Sequence, residues 1–215
     1  KEKLLLATKS ILKGQEEERS RMAKDLHDGL GGLLSGVKLQ LGAMKGNLIL
    51  SEEHGRAFNN ALGKLDESIN EMRRVAHNMM PEALLKLGLQ QALKDYCDGL
   101  SESQPFKINC EFHALENRMP SSTEIVIYRI VQELLNNAVQ HSGATSILAQ
   151  VIRQGDNLSI TVEDNGKGFD IAQTDMTKGA GLTNVKSRVD YLKGQMDLQS
   201  TPGKGTSVHI ECAVE

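Results

Sequence analysis

The sequence predicts an α + α/β molecule: an antiparallel helical hairpin that forms a dimeric four-helix bundle, followed by a two-layer α/β sandwich. Three observations carry this reading. Upstream of Pro81 the apolar residues recur in steps of three and four, the spacing of a helix seam. Downstream they alternate with polar residues in short segments, the period of a half-buried strand. Between the two regimes, Pro81 lacks a backbone donor and biases its predecessor away from helix, so a helix ends there. The expected domains are residues 1–80 and 81–215.

The first seam runs from Met22 through Leu26, Leu30, Leu33, Val37, Leu41, Met44 and Leu48. The second runs through Phe58, Leu62, Leu65, Ile69, Met72, Ala76 and Met79, keeping the 3.5-residue step of coiled packing. Ser51, followed by Glu52 and Glu53, reads as an N-cap with acids in the first turn, where the helix dipole favours them. The connection is short, so the helices run antiparallel. A lone hairpin leaves half of each stripe wet, and a second copy covers it, which predicts a homodimer. Gly29, Gly31, Gly32, Gly36, Gly42 and Gly46 crowd the first helix. Each costs about 1 kcal/mol relative to Ala, and they are expected to permit close helix contact and bending. The chain starts inside a helical pattern, so an upstream sensor or membrane segment is expected beyond it.

Past Pro81, a helix with Leu89, Leu93, Tyr96 and Leu100 on one face leads into the alternation Ile108, Cys110, Phe112. The alternation returns at Leu158, Ile160, Val162 and at Val208, Ile210, Cys212, Val214. Between them a helix is expected from Ser121 to His141, opened by the capping box Ser121-Ser122-Thr123-Glu124. Another is expected from about Leu182 to Lys193, with Gly194 as its C-cap.

Composition excludes several function classes. Of the 215 residues, 39% are hydrophobic and 25% charged, which is ordinary globular usage rather than disorder. Aromatics are 3% with no Trp, and the net charge is -3, so there are neither stacking platforms nor a basic footprint for nucleic acid. Cys97, Cys110 and Cys212 are odd in number and lack paired spacing, against a disulfide framework or zinc site and for a reducing cytoplasm. The apolar stretch Gly29 to Leu50 is broken by Lys38, Gln40, Lys45 and Asn47, so no membrane span is expected. His54, His77, His113 and His209 lack metal-ligand spacing and read as structural.

Three features could carry chemistry, each with an ordinary alternative. Glu133, Asn137 and His141 stand four apart, a polar helix stripe in which a carboxylate and an amide could share a hard cation, or a solvated face. Asp164-Asn165-Gly166-Lys167-Gly168-Phe169 follows a strand; its glycines would let a flat or charged ligand approach the backbone, or it is an Asn-Gly turn. Gly179-Ala180-Gly181-Leu182-Thr183-Asn184 precedes a helix, the setting in which free N–H groups cradle phosphate.

In order and separation the three, with Gly205-Thr206 entering the last strand, resemble the boxes of the ATP-binding fold shared by gyrase, a heat-shock chaperone, mismatch-repair ATPases and histidine kinases. A fourth feature, Arg19-Ser20-Arg21-Met22-Ala23-Lys24-Asp25-Leu26-His27-Asp28-Gly29-Leu30-Gly31, resembles the phosphoacceptor box of bacterial sensor histidine kinases of the nitrate- and membrane-fluidity-sensing subclass. Pro81-Glu82-Ala83-Leu84 and Leu87-Gly88-Leu89 follow in the order expected there, and the likeness runs from about Glu16 onward.

The resemblance implies a dimerisation and phosphotransfer domain, then an ATP-binding domain. Asn137 and Glu133 would hold Mg²⁺, and Asp164 would read the adenine amine with Gly166 and Gly168 close to the base. His141, Lys178, Gly179, Gly181, Leu182 and Thr206 would contact ATP, with Asp170 to Lys178 as a lid. His27 would be the nucleophile, and Asp28 would take a proton or fix the tautomer. The phosphate would pass to a response-regulator receiver domain. The implied alternatives are an ATPase or serine kinase of the same fold, or a non-catalytic dimeric scaffold. Two positions depart from the pattern: Gln140 replaces a frequent cation, and Gly32 replaces the water-positioning Gln or His, which predicts weak phosphatase activity.

Overall fold

The computed structural model describes residues 2–45, 51–79, 82–102, 107–171 and 180–214. Internal contacts group Lys9–Glu82 as one unit and Ala83–Glu215, together with Lys1–Thr8, as the other. Among the described residues, no helix is long and apolar enough to cross a membrane.

The helical unit holds α1 (Glu2–Lys24) from Lys9 onward, a π turn (Asp25–Leu30), α2 (Gly31–Lys45) and α3 (Glu52–Met79). Ser51 caps α3 as its position predicts, its hydroxyl oxygen accepting the His54 N–H at 3.3 Å and lying 2.8 Å from the His54 ring. Two contacts fix the direction of the hairpin. Lys38 pairs with Asp66, and Gly31 lies against the Met72 methyl, so positions advance on α2 as they fall on α3. The α3 stripe is covered, with Ile69 and Ala76 buried and Phe58, Leu62, Leu65 and Met72 half-buried. The α2 stripe is not. Leu30, Leu33, Val37 and Met44 stand exposed, Leu33 by 69%.

The expected role of the glycines needs correction. A Cβ at Gly31 would come 3.1 Å from the Met72 methyl, so this glycine does allow close approach, but one at Gly29, Gly32, Gly36 or Gly42 would meet nothing within 4 Å. Gly46 lies outside the described residues.

The second unit is a five-stranded sheet under three helices. Strands β1 (Lys107–His113), β2 (Ser146–Gln154), β3 (Asn157–Asp164), β4 (Gln195–Thr201) and β5 (Gly205–Ala213) run in the order β1-β2-β3-β5-β4. Only β1 and β2 are parallel. Inward residues such as Ile147, Val151, Ile160 and Ile210 meet Leu93 of α5 (Leu89–Glu102), Ile127 and Val131 of α6 (Ser121–Asn137) and Val189 of α7 (Ala180–Tyr191) in one core. The short α4 (Glu82–Leu87) adds buried Leu84 to it. Burial alternates along β2 and β3, as a sheet packed on one face requires.

Three helix ends differ from expectation. Pro120, not Ser121, occupies the N-cap of α6, and the Glu124 carboxylate reaches back to the Met119 N–H at 3.0 Å. The α-helix ends at Asn137 and passes into a π turn, Ala138–Ser142, closed by Gly143 at φ +62°. In α7 the left-handed residue is Lys193 (φ 54°), and Gly194 follows it, donating to the Val189 carbonyl at 2.9 Å, while Lys193 donates to Asp190 at 3.0 Å. Gly194 is needed for space: a Cβ there would lie 2.6 Å from the Glu211 oxygen on β5.

Candidate functional site

The sheet unit gathers four separate stretches of sequence. Glu133 and Asn137 lie one turn apart on α6, both half-buried. Against them lies Gly181, near the N-terminus of α7 (Ala180–Tyr191). A Cβ there would sit 2.5 Å from Glu133 Oε1 and 3.1 and 3.2 Å from the two Asn137 amide atoms. Only a glycine lets the helix N-terminus approach that carboxylate and amide so closely. The Asn137 amide nitrogen is buried and has no acceptor among the described residues. An orphan donor beside a helix N-terminus suits a phosphate oxygen, and the same amide turned over offers an oxygen to a cation beside Glu133.

Asp164 closes β3 and pairs in register with Thr206 on β5. Its Oδ1 accepts the Gly166 N–H at 2.8 Å. Burial raises the carboxyl above the ordinary aspartate range, opposed by backbone hydrogen bonds from Gly166 and Thr206. The Thr206 hydroxyl lies 3.0 Å from that of Ser200, which in turn accepts the Phe169 N–H at 2.9 Å.

The loop glycines serve the protein's own packing, a role the ligand-centred reading did not assign. A Cβ at Gly166 would lie 2.3 Å from the Ser142 carbonyl oxygen, and one at Gly168 (φ +56°) would lie 2.1 Å from that of Thr201. Nor is Asn165-Gly166 a hairpin turn. The Asn165 side chain accepts the Thr145 and Ser146 N–H groups at 2.9 and 3.0 Å and donates to the Thr145 hydroxyl at 2.9 Å, binding the loop to the start of β2. Lys167 N–H donates to the Ser142 carbonyl at 2.8 Å, and the Ser142 hydroxyl bonds the Ala138 carbonyl at 2.6 Å. Ser142, Asn165 and Ser200 thus hold the site together, although no motif in the sequence analysis marked them for that work.

The remaining expected residues are scattered. His141 is exposed on the π turn, so it has left the α-helical phase of Glu133 and Asn137; Leu182 is half-buried against the core. Gly179 and residues 172–178 of the expected lid, Lys178 among them, lie outside the described residues. In the helical unit the backbone of His27 lies within the π turn, whose closing bond runs from the Gly31 N–H to the Leu26 carbonyl; its side chain lies outside the described set. Asp28 beside it is exposed. A π turn thus interrupts the α-helical phase over Asp25–Leu30. The thiols of Cys97, Cys110 and Cys212 are all free.

Residues 18–84 match the family described as "Histidine kinase", and residues 122–215 match the "Histidine kinase-, DNA gyrase B-, and HSP90-like ATPase" family. The signal transduction histidine-protein kinase/phosphatase DegS of Brevibacillus brevis is 30% identical over 212 residues, which is 95% of this chain and 53% of that protein. The sensor histidine kinase ComP of Bacillus subtilis (strain 168) is 30% identical over 203 residues, 92% of this chain and 26% of that protein. The chain therefore spans about half or less of the curated relatives it matches. Among solved structures, the histidine kinase domain of the Erythrobacter litoralis EL346 blue-light activated histidine kinase aligns with a TM-score of 0.51 at 19% identity, covering 83% of this chain and 95% of that one, a likeness of fold. The two matches together take in most of the chain, which belongs to the histidine kinases, with the two family regions in that order.

Proposed function

We propose that this chain is the catalytic core of a two-component sensor kinase, which moves the γ-phosphoryl group of Mg·ATP to His27 and then to an aspartate of a response-regulator receiver domain. The observation that supports it most is the meeting of Gly181 with Glu133 and Asn137, where the buried Asn137 amide nitrogen has no acceptor among the described residues. In this reading Asp164 accepts a hydrogen bond from the exocyclic amine of adenine, its carboxylate held by Gly166 and Thr206. Asn137 and Glu133 hold Mg²⁺, which supplies neutralisation of phosphate charge. His141, Lys178, Gly179, Gly181 and Leu182 complete the phosphate side, and Gly166, Gly168 and Thr206 the adenine side.

At the phosphoacceptor a neutral ring nitrogen of His27 attacks the γ-phosphorus, the bond to the β–γ bridging oxygen breaks, and ADP leaves with that electron pair. Asp28 takes the proton released by the imidazole or fixes its tautomer. The chain works as a homodimer on the cytoplasmic side, where ATP and receiver domains are found, and the exposed α2 stripe supports that pairing. Phosphatase activity toward the regulator is weak, since Gly32 offers no side chain to position water. Rapid clearing of regulator phosphate without back-transfer to His27 would contradict this last point.

Titration with Mg·ATP, with phosphate uptake measured beside it, separates this reading from a scaffold or a serine kinase. His27→Gln is expected to bind the nucleotide like the unaltered chain yet accept no phosphate, while Asn137→Ala and Asp164→Asn lose affinity at least about tenfold, the scale of a lost charge-assisted contact. Absent binding in the unaltered chain favours the scaffold. Undiminished phosphate uptake by His27→Gln favours a serine kinase.

A further inference from the structure

Glu124 is only 1% exposed. A buried carboxylate is costly unless paired, and this one accepts the Met119 N–H at 3.0 Å, Arg118 Nε at 3.0 and 3.1 Å, and Arg118 Nη2 at 2.9 Å. The same guanidinium makes a second contact that Glu124 does not require. Arg118 Nη2 also donates to the Leu84 carbonyl of α4 at 3.3 Å. Its stem crosses Gly88, the single residue between α4 and α5, where a Cβ would lie 3.2 Å from Arg118 Cδ and 3.4 Å from Nε, and where φ is +91°. One side chain therefore joins the first turn of α6, a carbonyl of α4 and the α4–α5 joint. Arg118 and Gly88 lie in the stretch that separates the phosphoacceptor module from the ATPase module.

We propose that Arg118 is a positioning residue for phosphoryl transfer, latching α4 to the ATPase unit so that the tether leading from α3 ends at α4 instead of running on to α5. The inference rests on the kinase reading above. In sequence only residues 80 and 81 separate Met79, the last residue of α3, from Glu82, the first of α4. Releasing α4 adds residues 82–88 to the tether. A longer tether lowers the effective concentration of the nucleotide site at His27, and it does so without touching the nucleotide. Lysine keeps a charge opposite Glu124 but does not reach Leu84, because its nitrogen stands where the guanidinium carbon of arginine is, a bond short of the Nη2 that bonds that carbonyl.

Arg118→Lys in the full chain is the test, with Arg118→Ala beside it and thermal unfolding as the check that Arg118→Lys keeps the fold. For Arg118→Lys, amide exchange in α4 should rise at least about tenfold while that of α6 and β3 stays unchanged. Affinity for Mg·ATP should hold within about twofold and autophosphorylation at saturating ATP should fall about fivefold or more, the pattern of lost proximity. Arg118→Ala should repeat that pattern, with lower stability because Glu124 loses its partner. Unchanged α4 exchange in Arg118→Lys overturns the proposal. So does a freed α4 with an unchanged rate, or nucleotide affinity that falls in step with the rate. An unlabelled unaltered chain refutes the kinase reading, and the exchange measurement then still decides whether the latch exists.

Discussion

Asp164 has two opposing demands on it. Burial raises its carboxyl above the ordinary value of 3.8, while the Gly166 and Thr206 N–H groups favour the ionised form. With the folded-state value raised, the folded chain keeps a proton that the unfolded chain has released. The associated stability is full at acidic pH and is lost as pH rises from the ordinary aspartate value through the raised one. Asp164→Asn keeps an oxygen for Gly166 and removes the buried charge. It should therefore raise the melting temperature near neutral pH while weakening nucleotide binding, and the gain should shrink toward about pH 3, below both values. A gain that grows on acidification would show that the sign is reversed. Residue types at this site were readable in order and spacing, but their partners were not. Asn165 reads as half of an Asn-Gly turn and instead binds Thr145 and Ser146 across the loop, a contact that depends on where β2 begins.

At the scale of elements, periodicity found what had clear periodicity. Strands β1, β3 and β5 alternate cleanly and were read as strands; β2 and β4 were not. β2 begins Ser146-Ile147-Leu148-Ala149, with Val151 and Ile152 following, too continuous to show period two, and β4 offers only Met196 and Leu198 as apolar markers. The sheet order β1-β2-β3-β5-β4 brings both into line through pairing that local sequence does not encode. The two π turns were equally invisible, since one extra residue per turn leaves the polar and apolar spacing nearly intact. Their placement is notable: one holds His27, and the other follows Asn137 directly. Gly36→Ala, in open space on α2, is expected to stabilise the hairpin by about 1 kcal/mol in thermal or urea unfolding. Gly31→Ala should gain less, because its Cβ must displace the Met72 methyl. Equal gains in both would contradict the contact between Gly31 and Met72, and unaltered autophosphorylation in both would show that the bending expected of these glycines does not serve phosphoryl transfer.

For the whole molecule, the apolar period changes around Pro81, and internal contacts group Lys9–Glu82 apart from Ala83–Glu215, with Lys1–Thr8 assigned to the latter. The proposed dimer would cover the apolar stripe that runs from the π turn along α2. Leu30, Leu33, Val37 and Met44 follow steps of three, four and seven and remain exposed, whereas the facing stripe of α3 is largely covered. A single charge within such a seam should break a dimer. Sedimentation should find the unaltered chain at twice its protomer mass and Leu33→Asp at one, with the sheet unit still folded by amide exchange. A monomeric unaltered chain would remove the bundle.

The most direct test concerns the bond formed at His27. Incubation with γ-labelled ATP and Mg²⁺, followed by acid and base treatment, should give protein-bound label that acid releases and base preserves, the behaviour of a phosphoramidate. His27→Gln should carry none. Label that survives acid, or that persists without the His27 imidazole, would contradict the assignment of this histidine as the phosphoacceptor.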